Sequence, residues 1–551
     1  MKKRIFSLLV LLIISVFVCA QAPEWQWATQ AGGDSGDFGF GITVDNAGNT
    51  YVTGFFNGTA TFGSYSLSGY GDIFVAKMDA NGNWLWATQA GGGGTSGDFG
   101  FGITVDDAGN SYVIGSFHGT ATFGFYSLPS SGYEDIFVAK LNATGNWLWA
   151  TQAGGTSNDR GYGITIDDAG NSYVTGGFQG TATFGSYYLT SSSIDIFVAK
   201  MDEDGNWLWV TQAGGTESSF GHGITIDNEG NSYVTGYFRD TATFGSHSLT
   251  SNGNADIFVA KMDANGNWLW ATQSGGGGYD EGNGITIDDT GNSYVTGTFD
   301  YTATFSSYSL YSNGSWDIFV AKMDTDGNWL WATNAGGTSN DRGYGITIDD
   351  AGYTYVTGRI QDTATFGSYT LPCYGYADII VAKMDSIGNW IWATRAGGTY
   401  DGYYGDSGKG ITIDDAGNSY VTGYFQGTAF FGYYSISGSG YEDIFVAKLG
   451  NETSFENEII ELNSISLSNY PNPFNPTTMI YFETTNLHEN SRIEIFNIKG
   501  QKVKQFSDIR GQHSVVWNGK DDKGKSVSSG IYFYKLKTGN YEQTRQMILI
   551  K

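Results

Sequence analysis

The residues of this sequence that are best suited to chemistry are carboxylates in short, glycine-containing turns. Residues 202–206 (DEDGN) and 324–328 (DTDGN) resemble the opening of a calcium-binding loop, in which aspartates alternate with other residues before a glycine. The third acidic position and the distal bidentate glutamate of such a loop are missing. Tight hairpins also require Asp, Asn and Gly, so the turn role explains these residues and weak Ca²⁺ binding is the alternative. The candidate ligands in that alternative are Asp202, Asp204, Asp324 and Asp326.

Histidine and glycine motifs give no sign of a catalytic centre. The five histidines do not recur at a fixed position of any repeat, and none stands at diagnostic spacing from a serine, a cysteine or a metal-ligating partner. Glycine pairs are almost unavoidable in a chain with 82 glycines, so they do not identify a phosphate loop. We therefore predict no catalytic residues and no cofactor. The histidines, expected to be ordinary surface or loop residues, are His118, His222, His247, His488 and His513.

The elements that must position these residues are repeated. GITIDDAGNSYVTG or a close variant begins at Gly41, Gly102, Gly163, Gly223, Gly284, Gly345 and Gly410. DIFVAK or DIIVAK begins at Asp72, Asp135, Asp195, Asp256, Asp317, Asp378 and Asp443. Trp-x-Trp begins at Trp25, Trp84, Trp147, Trp207, Trp268, Trp329 and Trp390. Each element is short, rich in β-branched and aromatic residues and bounded by Asp, Asn and Gly, which predicts four strands per repeat and an all-β propeller blade.

The phase of the repeats predicts a closed ring. The first repeated element is an isolated Trp-x-Trp strand at Trp25, and the last is DIFVAK at 443–448 with no Trp-x-Trp strand after it. An open solenoid has no reason to be cut in this way. In a propeller the N-terminal strand completes the last blade and leaves no blade edge unpaired. We therefore predict a seven-bladed β-propeller over residues 21–449.

The wording of the repeats resembles a known family. The units carry G-N-S-Y-V-T-G followed by D-I-F-V-A-K, as the bacterial β-propeller repeat family (SBBP) does, over roughly Glu24 to Leu449. The resemblance implies the propeller fold and little about activity, because that family is known mainly as a scaffold. The Trp-x-Trp strand and the inserted T-A-T-F-G segment depart from the family pattern, so loop functions are not carried over.

A second domain follows an acidic linker at 450–468. Prolines cluster in NYPNPFNPTT from Asn469 onward, and the alternating runs after it predict a small immunoglobulin-like β-sandwich over 469–551. The ordered motifs NYPNPFNPTT, IFNIKGQKV, VWNGKDDKG and SGIYFYKL strongly resemble the C-terminal sorting domain of the type IX secretion system. The resemblance implies recognition by an outer-membrane translocon, often followed by cleavage and attachment to the cell surface.

The N-terminus indicates export. Residues 1–20 have a basic start, an apolar run and small residues before Gln21, as a secretory signal peptide has. No later run approaches the roughly 18 apolar residues of a spanning helix, so we expect a secreted or surface-attached protein without a transmembrane span. Cleavage leaves Cys373 as the single cysteine, which excludes an intramolecular disulfide.

Charge restricts the partners. Between Gln21 and Leu462 the chain has 13 basic and 48 acidic residues, a net charge of −35. Such a body repels the phosphates of nucleic acids and anionic membranes. Cations or neutral glycans are therefore the favoured partners.

Aromatic side chains are the remaining candidates for ligand contact. Strand alternation would put both rings of Trp84 and Trp86 on one face, where they could stack on sugars, but identical recurrence in every repeat favours packing between blades. Strand parity places the two longer connections of each blade, second to third strand and fourth to first, on the rim opposite the acidic turns. Varied loops on a rigid scaffold are the better binding surface. The candidate ligand residues there, with space filling as the alternative role, are Tyr400, Tyr403, Tyr404, Tyr433 and Tyr434.

These features favour a secreted or cell-surface binding or adhesion scaffold, with glycans or another surface protein as partner. A polysaccharide hydrolase or lyase is one alternative, because propellers host such enzymes, and a purely structural surface-layer protein is another. An enzyme should place blade-specific acids or histidines at the central channel, and the sequence shows no such cluster.

Overall fold

The structure, a computed structural model, describes residues 22–92, 97–399, 405–451, 466–483, 491–507, 509, 514–538 and 541–551. The chain divides into two compact units, Met1–Glu452 and Thr453–Lys551. The expected signal peptide at 1–20, most of the expected linker, and Tyr400, Tyr403 and Tyr404 lie outside the described residues. Within those ranges all assigned secondary-structure elements are β-strands. The described residues contain no helix that is long and apolar enough to cross a membrane.

The first unit contains seven four-stranded antiparallel blades, each built from one copy of the repeat. The first strands are Phe38–Val44, Phe99–Val105, Arg160–Ile166, Phe220–Ile226, Glu281–Ile287, Arg342–Ile348 and Ser407–Ile413. The second strands are Thr50–Phe62, Ser111–Phe117, Ser172–Phe184, Ser232–Phe238, Ser293–Phe305, Thr354–Ile360 and Ser419–Phe425. The third strands are Tyr65–Met78, Asp135–Leu141, Tyr187–Met201, Asp256–Met262, Tyr308–Met323, Asp378–Met384 and Asp443–Leu449. The fourth strands are Trp84–Ala90, Trp147–Gly155, Trp207–Gly215, Trp268–Ser274, Trp329–Ala335, Trp390–Ala396 and, for the seventh blade, Trp25–Ala31.

The blades close into a ring. Each first strand contacts the first strands of the two neighbouring blades, and the series returns from the seventh blade to the first. The N-terminal strand Trp25–Ala31 pairs antiparallel with Asp443–Leu449, so the isolated strand completes the seventh blade. The first strands thus surround a central channel, and the all-β propeller fold predicted from the repeats is confirmed.

The T-A-T-F-G insertions form hairpins that pack against the blades. In the first blade the Phe62 ring lies 5.1 Å from the Trp84 ring, edge to face, and it is fully buried. The hairpin also joins the preceding blade, because the Gly32 and Thr61 backbones exchange two hydrogen bonds of 3.2 and 2.8 Å. The hairpin strands that are separate from the blades are Thr120–Phe123, Tyr126–Pro129, Thr241–Phe244, His247–Thr250, Ala364–Phe366, Tyr369–Leu371, Thr428–Phe431 and Tyr434–Ser437. The prediction that these connections form varied rim loops is wrong, because their buried Phe side chains draw them into the seams between blades.

The two tryptophans of each fourth strand face opposite sides of their blade. Trp84 pairs with Met78 and Trp86 pairs with Lys77, so Leu85 is an extra residue in a β-bulge. Trp84 packs in the core shared with the seventh blade, whereas Trp86 packs in the core shared with the second. Packing between blades is therefore their role, but the prediction of a shared face is wrong because a bulge reverses the alternation.

The second unit is a sandwich of two antiparallel sheets. One sheet has three strands in the order Ser466–Tyr470, Thr478–Glu483 and Ser514–Trp517. The other has four in the order Lys502–Ser507, Arg492–Asn497, Gly530–Thr538 and Tyr541–Leu549. Both sheets contribute to one core around the fully buried Trp517. The first strand begins three residues before the boundary predicted at 469.

Candidate functional site: the central channel

Blade-specific residues concentrate where the first strands begin. Each first strand opens with x-Gly-x-Gly, followed by Ile and Thr in every blade. The first variable position holds Phe38, Phe99, Arg160, Phe220, Glu281, Arg342 and Ser407. The second variable position, called the channel ring below, holds Phe40, Phe101, Tyr162, His222, Asn283, Tyr344 and Lys409. Variation inside an otherwise copied strand marks the channel as the place where the blades differ in chemistry.

Backbone geometry brings the channel ring together. The pairing register shifts between Gly39 and Gly41, which leaves Phe40 unpaired in a bulge. The first strands approach so closely that a Cβ on Gly41 would lie 2.9 Å from the Phe101 carbonyl oxygen. Glycine is therefore required at this position of the repeat for neighbouring first strands to meet.

Side chains of the channel ring contact one another from blade to blade. Ring centroids are 5.4 Å apart for Phe40 and Phe101, and 5.0 Å for Phe101 and Tyr162. Tyr162 lies 5.2 Å from His222, edge to face. On the other side of the ring, the Lys409 ammonium lies 3.4 Å from the centroid of Tyr344. All seven side chains are partly accessible, so a ligand entering the channel would meet them.

One arc of the channel is an aromatic surface. Phe38 of the first blade lies 4.9 Å from Tyr424 of the seventh and 6.0 Å from Phe55. Phe55 stacks on Phe99 of the second blade with centroids 4.9 Å apart and planes at 17°, and Phe99 stacks on Phe101 at 5.6 Å. This surface runs across three blades, and aromatic faces of this kind suit the apolar faces of sugar rings.

The adjoining arc carries three unneutralised cations. Arg342 and Arg359 stand directly opposite each other on paired strands of the sixth blade, and Lys409 comes from the seventh. Among the described residues, no carboxylate lies within ion-pair distance of these three, and the two arginine Nε atoms are buried without a hydrogen-bond partner. Burial, together with the charges of Arg359 and Arg342, lowers the pKa of Lys409. Although burial opposes ionisation of Tyr344, the three cations lower its pKa to about 8.

The remaining charged groups of the channel are paired. His222 Nδ1 lies 3.2 Å from Glu281 Oε1, and Arg160 donates a hydrogen bond to Glu134. The structure thus brings His222 and Glu281 together at the channel, a pair of blade-specific residues that was not visible as a cluster in the sequence. The variation at x-Gly-x-Gly could have identified the channel residues in the sequence. Using it requires the knowledge that the first strand is the innermost strand of each blade.

The predicted cation ligands lie in turns that are held by their own hydrogen bonds. Asp324 accepts hydrogen bonds from the backbone of Asp326 at 3.0 Å and of Asn328 at 2.8 Å. Trp270 of the preceding blade covers Gly327 and donates from Nε1 to the Thr325 carbonyl at 3.0 Å. Asp202 accepts the same bonds in its own turn, from Asp204 and Asn206. In the described ranges, no group of three His, Cys, Asp or Glu side chains is suited to a metal ion, and Ca²⁺ binding at these turns stays a prediction.

The two described candidate tyrosines lie away from the channel. Tyr433 and Tyr434 are at the tip of the seventh-blade hairpin, 90% and 40% exposed. The adjacent Gly432 sits against the Trp25 ring, with 3.3 Å between its ideal Cβ position and the ring. Because Trp25 starts the outermost strand, these tyrosines are at the outer edge of the blade and do not share a rim with the connections to the first strands.

The chain matches two families. Six segments match the beta-propeller repeat, at residues 26–54, 85–116, 148–176, 208–237, 269–298 and 391–427. Residues 468–551 match the secretion system C-terminal sorting domain, which indicates recognition by the type IX secretion machinery and secretion by that route.

Curated relatives and solved structures are more distant. An uncharacterized WD repeat-containing protein of Acanthamoeba polyphaga mimivirus is 25% identical over 67% of this chain and 34% of its own length. The regulatory protein FlaEY of Caulobacter vibrioides is 24% identical over 28% of this chain and 17% of its own length. The chain thus spans about a third of the first relative and about a sixth of the second.

Two solved structures give low structural similarity. One is PorZ, a surface component of the type-IX secretion system of Porphyromonas gingivalis. The alignment with PorZ covers 95% of this chain and 75% of the PorZ chain at 14% identity, with a TM-score of 0.27. Regucalcin of Agrobacterium tumefaciens covers 59% and 86% at 11% identity, also with a TM-score of 0.27. Scores this low carry no argument about function. The chain thus contains six segments that match the beta-propeller repeat and a C-terminal segment that matches the secretion system C-terminal sorting domain.

Proposed function

We propose that this protein is an extracellular or cell-surface binding protein whose ligand, a glycan or a loop of another surface protein, enters the central channel. The observation that carries the proposal is the contrast between copied and varied residues. The acidic turns and the Trp-x-Trp strands recur with little change, whereas the channel ring differs in nearly every blade. Recurrence serves the scaffold, and variation on a rigid scaffold is typical of a contact surface.

Glycans are the favoured ligands because of the aromatic arc. Phe55 and Phe99 present stacked rings beside the partly accessible Phe101, and such rings lose little conformational freedom on binding. The test is a glycan array probed with the mature chain and with two variants. Phe99→Ala is expected to lose the detected binding, and the hairpin-tip variant Tyr433→Ala, Tyr434→Ala is expected to keep it. Loss in the hairpin variant alone would place the ligand outside the channel, and melting curves check that both variants fold.

A second candidate is a polysaccharide-cleaving enzyme, which the pairing of His222 with Glu281 at 3.2 Å favours. A histidine and a glutamate at this distance could transfer protons to a bound substrate. The measurement is the release of reducing ends from the polysaccharides that the array identifies. Activity that Glu281→Gln abolishes, with binding retained, would establish the enzyme and reject the pure scaffold.

A further inference from the structure

We infer that the channel takes an acidic saccharide, whose carboxylate or sulfate groups are bound by Arg342, Arg359 and Lys409 while its ring stacks on the neighbouring aromatic arc. This inference rests on the proposed function and names the ligand class of the same site. It reverses the expectation, drawn from overall charge, that neutral glycans or cations are the partners.

The distribution of basic residues supports the inference. Seven of the 13 basic residues of the propeller body are the repeated lysines of DIFVAK. These are held within the scaffold, as Lys77 is by Asp45 at 3.3 Å and by the Tyr51 ring at 4.5 Å. The six others are Arg160, Arg239, Arg342, Arg359, Arg395 and Lys409. Arg160 and Arg395 are paired with carboxylates, and Arg239 of the fourth blade lies 5.5 Å from the centroid of the Tyr279 ring. Three of the four remaining positive charges therefore fall on the sixth and seventh blades at the channel.

The arrangement of the three cations includes a repulsion between like charges, which a bound anion would reduce. Like charges directly opposite each other on paired strands are destabilising, and this is the arrangement of Arg342 and Arg359. The guanidinium carbon of Arg342 lies 3.9 Å from the centroid of the Trp316 ring, a cation–π contact that helps to position the group. A guanidinium can bind a carboxylate or sulfate through two parallel hydrogen bonds. Buried Nε atoms without partners are the donors that such a group would satisfy.

A saccharide explains both arcs together. Phe38 of the aromatic arc touches Tyr424 at 4.9 Å, and the Lys409 ammonium lies 5.6 Å from the centroid of that same Tyr424 ring. One sugar residue could therefore stack on the aromatic side while its acid group reaches the cations. Nucleic acid would carry many phosphates into the field of a body with a net charge of −35, and binding of an oligonucleotide in the test below would count against the inference.

The test is calorimetric titration of the full mature chain with oligogalacturonate, a sulfated heparin oligosaccharide, a neutral cello-oligosaccharide of equal length and a single-stranded oligonucleotide. We expect either acidic saccharide to bind at least about tenfold more tightly than the neutral one, because charge-assisted hydrogen bonds are the strong ones. The preference should fall as salt rises from about 50 to about 500 mM. Comparison of the first two probes distinguishes carboxylate from sulfate.

Variants separate this inference from the proposed function. Arg359→Gln and Lys409→Gln should each abolish the acidic preference and leave binding of the neutral sugar unchanged, and Lys523→Gln in the sorting domain is the charge-matched control. Without ligand, Arg359→Gln should raise the Tm by relieving repulsion, and with oligogalacturonate it should lose the rise that the native chain shows. Equal binding of acidic and neutral sugars would overturn the inference alone. Failure of every saccharide to bind would also overturn the glycan as the favoured ligand of the proposed function.

Discussion

The seams between blades contain pairs of buried aspartates, and one of them gives a quantitative prediction. Asp256 starts the third strand of the fourth blade, and Asp280 precedes the first strand of the fifth. A Cβ on Gly275 would lie 2.7 Å from Asp256 Oδ1 and 2.8 Å from Asp280 Oδ2, so these two oxygens converge on one point. Asp256 Oδ1 is buried without a hydrogen-bond partner, whereas both oxygens of Asp280 accept backbone hydrogen bonds, from Gly276 and Asp300.

Ionising this pair costs stability. Burial raises the pKa of Asp256 to about 6, although hydrogen bonds from Asn252 oppose the shift, and burial with the charge of Asp256 raises the pKa of Asp280 to about 7. Between the ordinary pKa near 3.8 and the raised value, the folded chain binds more protons than the unfolded chain. The contribution of this pair to stability is therefore greatest below about pH 4, falls as pH rises through 6, and stays low above it. A shift of about two pKa units corresponds to about 3 kcal/mol for Asp256, as an upper bound.

Asp256→Asn should remove this cost. The amide oxygen can keep the hydrogen bond from Asn252, and the amide nitrogen can donate to Asp280 in place of the unpartnered oxygen. Since about 1 kcal/mol corresponds to roughly 1 °C for a ring of this size, we expect the Tm to rise by up to about 3 °C at pH 8 and to be unchanged at pH 4. Circular dichroism melts at both pH values measure it.

The control variant, Asp263→Asn in the same blade, should change stability at pH 8 in the opposite direction. Hydrogen bonds from Asn267 lower the pKa of the exposed turn residue Asp263, so Asp263→Asn should lose stability at pH 8, and this loss should shrink as the pH falls below 3.8. A Tm for Asp256→Asn that is equal to or below that of the native chain at pH 8 would refute the reasoning about the seams. Ser219 already stands at the Asp280 position of another seam, so a neutral residue is compatible with the fold there.

Three further predictions concern closure, export and cation binding. Deleting residues 24–33 should remove the fourth strand of the seventh blade and lower the Tm sharply, and an unchanged melting curve would contradict closure of the ring by this strand. Truncation after Ser468 should keep the protein from reaching the cell surface, and surface exposure of the truncated chain in fractionated cells would reject the sorting role. Asp324→Ala with Asp326→Ala should reduce any millimolar Ca²⁺ binding seen by calorimetry, and an unchanged number of bound ions would exclude the turn at 324–328 as a site.

The sequence predicted the blades and their closure because both depend on local patterns. Strand-forming residues, turn residues and the order of the repeated strands can all be read directly from the sequence. The pairing of Trp25–Ala31 with Asp443–Leu449 follows from counting the repeated strands, because the last repeat lacks a fourth strand and the N-terminus supplies one. Predictions from the alternation of side chains along a strand failed where a β-bulge interrupts the alternation. The bulge at Leu85 adds one residue, so Trp84 and Trp86 pack in different seams between blades, and the residue type at this position does not predict a bulge.

The hairpins and the channel could not be predicted for a different reason. The Phe62 ring leaves the rim because Trp84, 22 positions later, provides a surface for it, and such a contact exists only in the folded blade. The variation at x-Gly-x-Gly was visible in the sequence. Its functional reading required the knowledge that Phe40 and Lys409, far apart in the chain, belong to one ring around the channel.

The acidic turns do not determine the charge of the ligand that the channel can bind. Arg342 starts the first strand of the sixth blade and Asp349 follows its end, and a strand of this length spans roughly 20 Å. At physiological ionic strength the Debye length is about 8 Å, so the turn carboxylates are separated from the channel cations by more than two screening lengths. Their field at Arg342 and Arg359 is therefore weak. A net charge of −35 governs solubility and long-range encounter, and we propose that the three cations in the channel set the sign of the bound group.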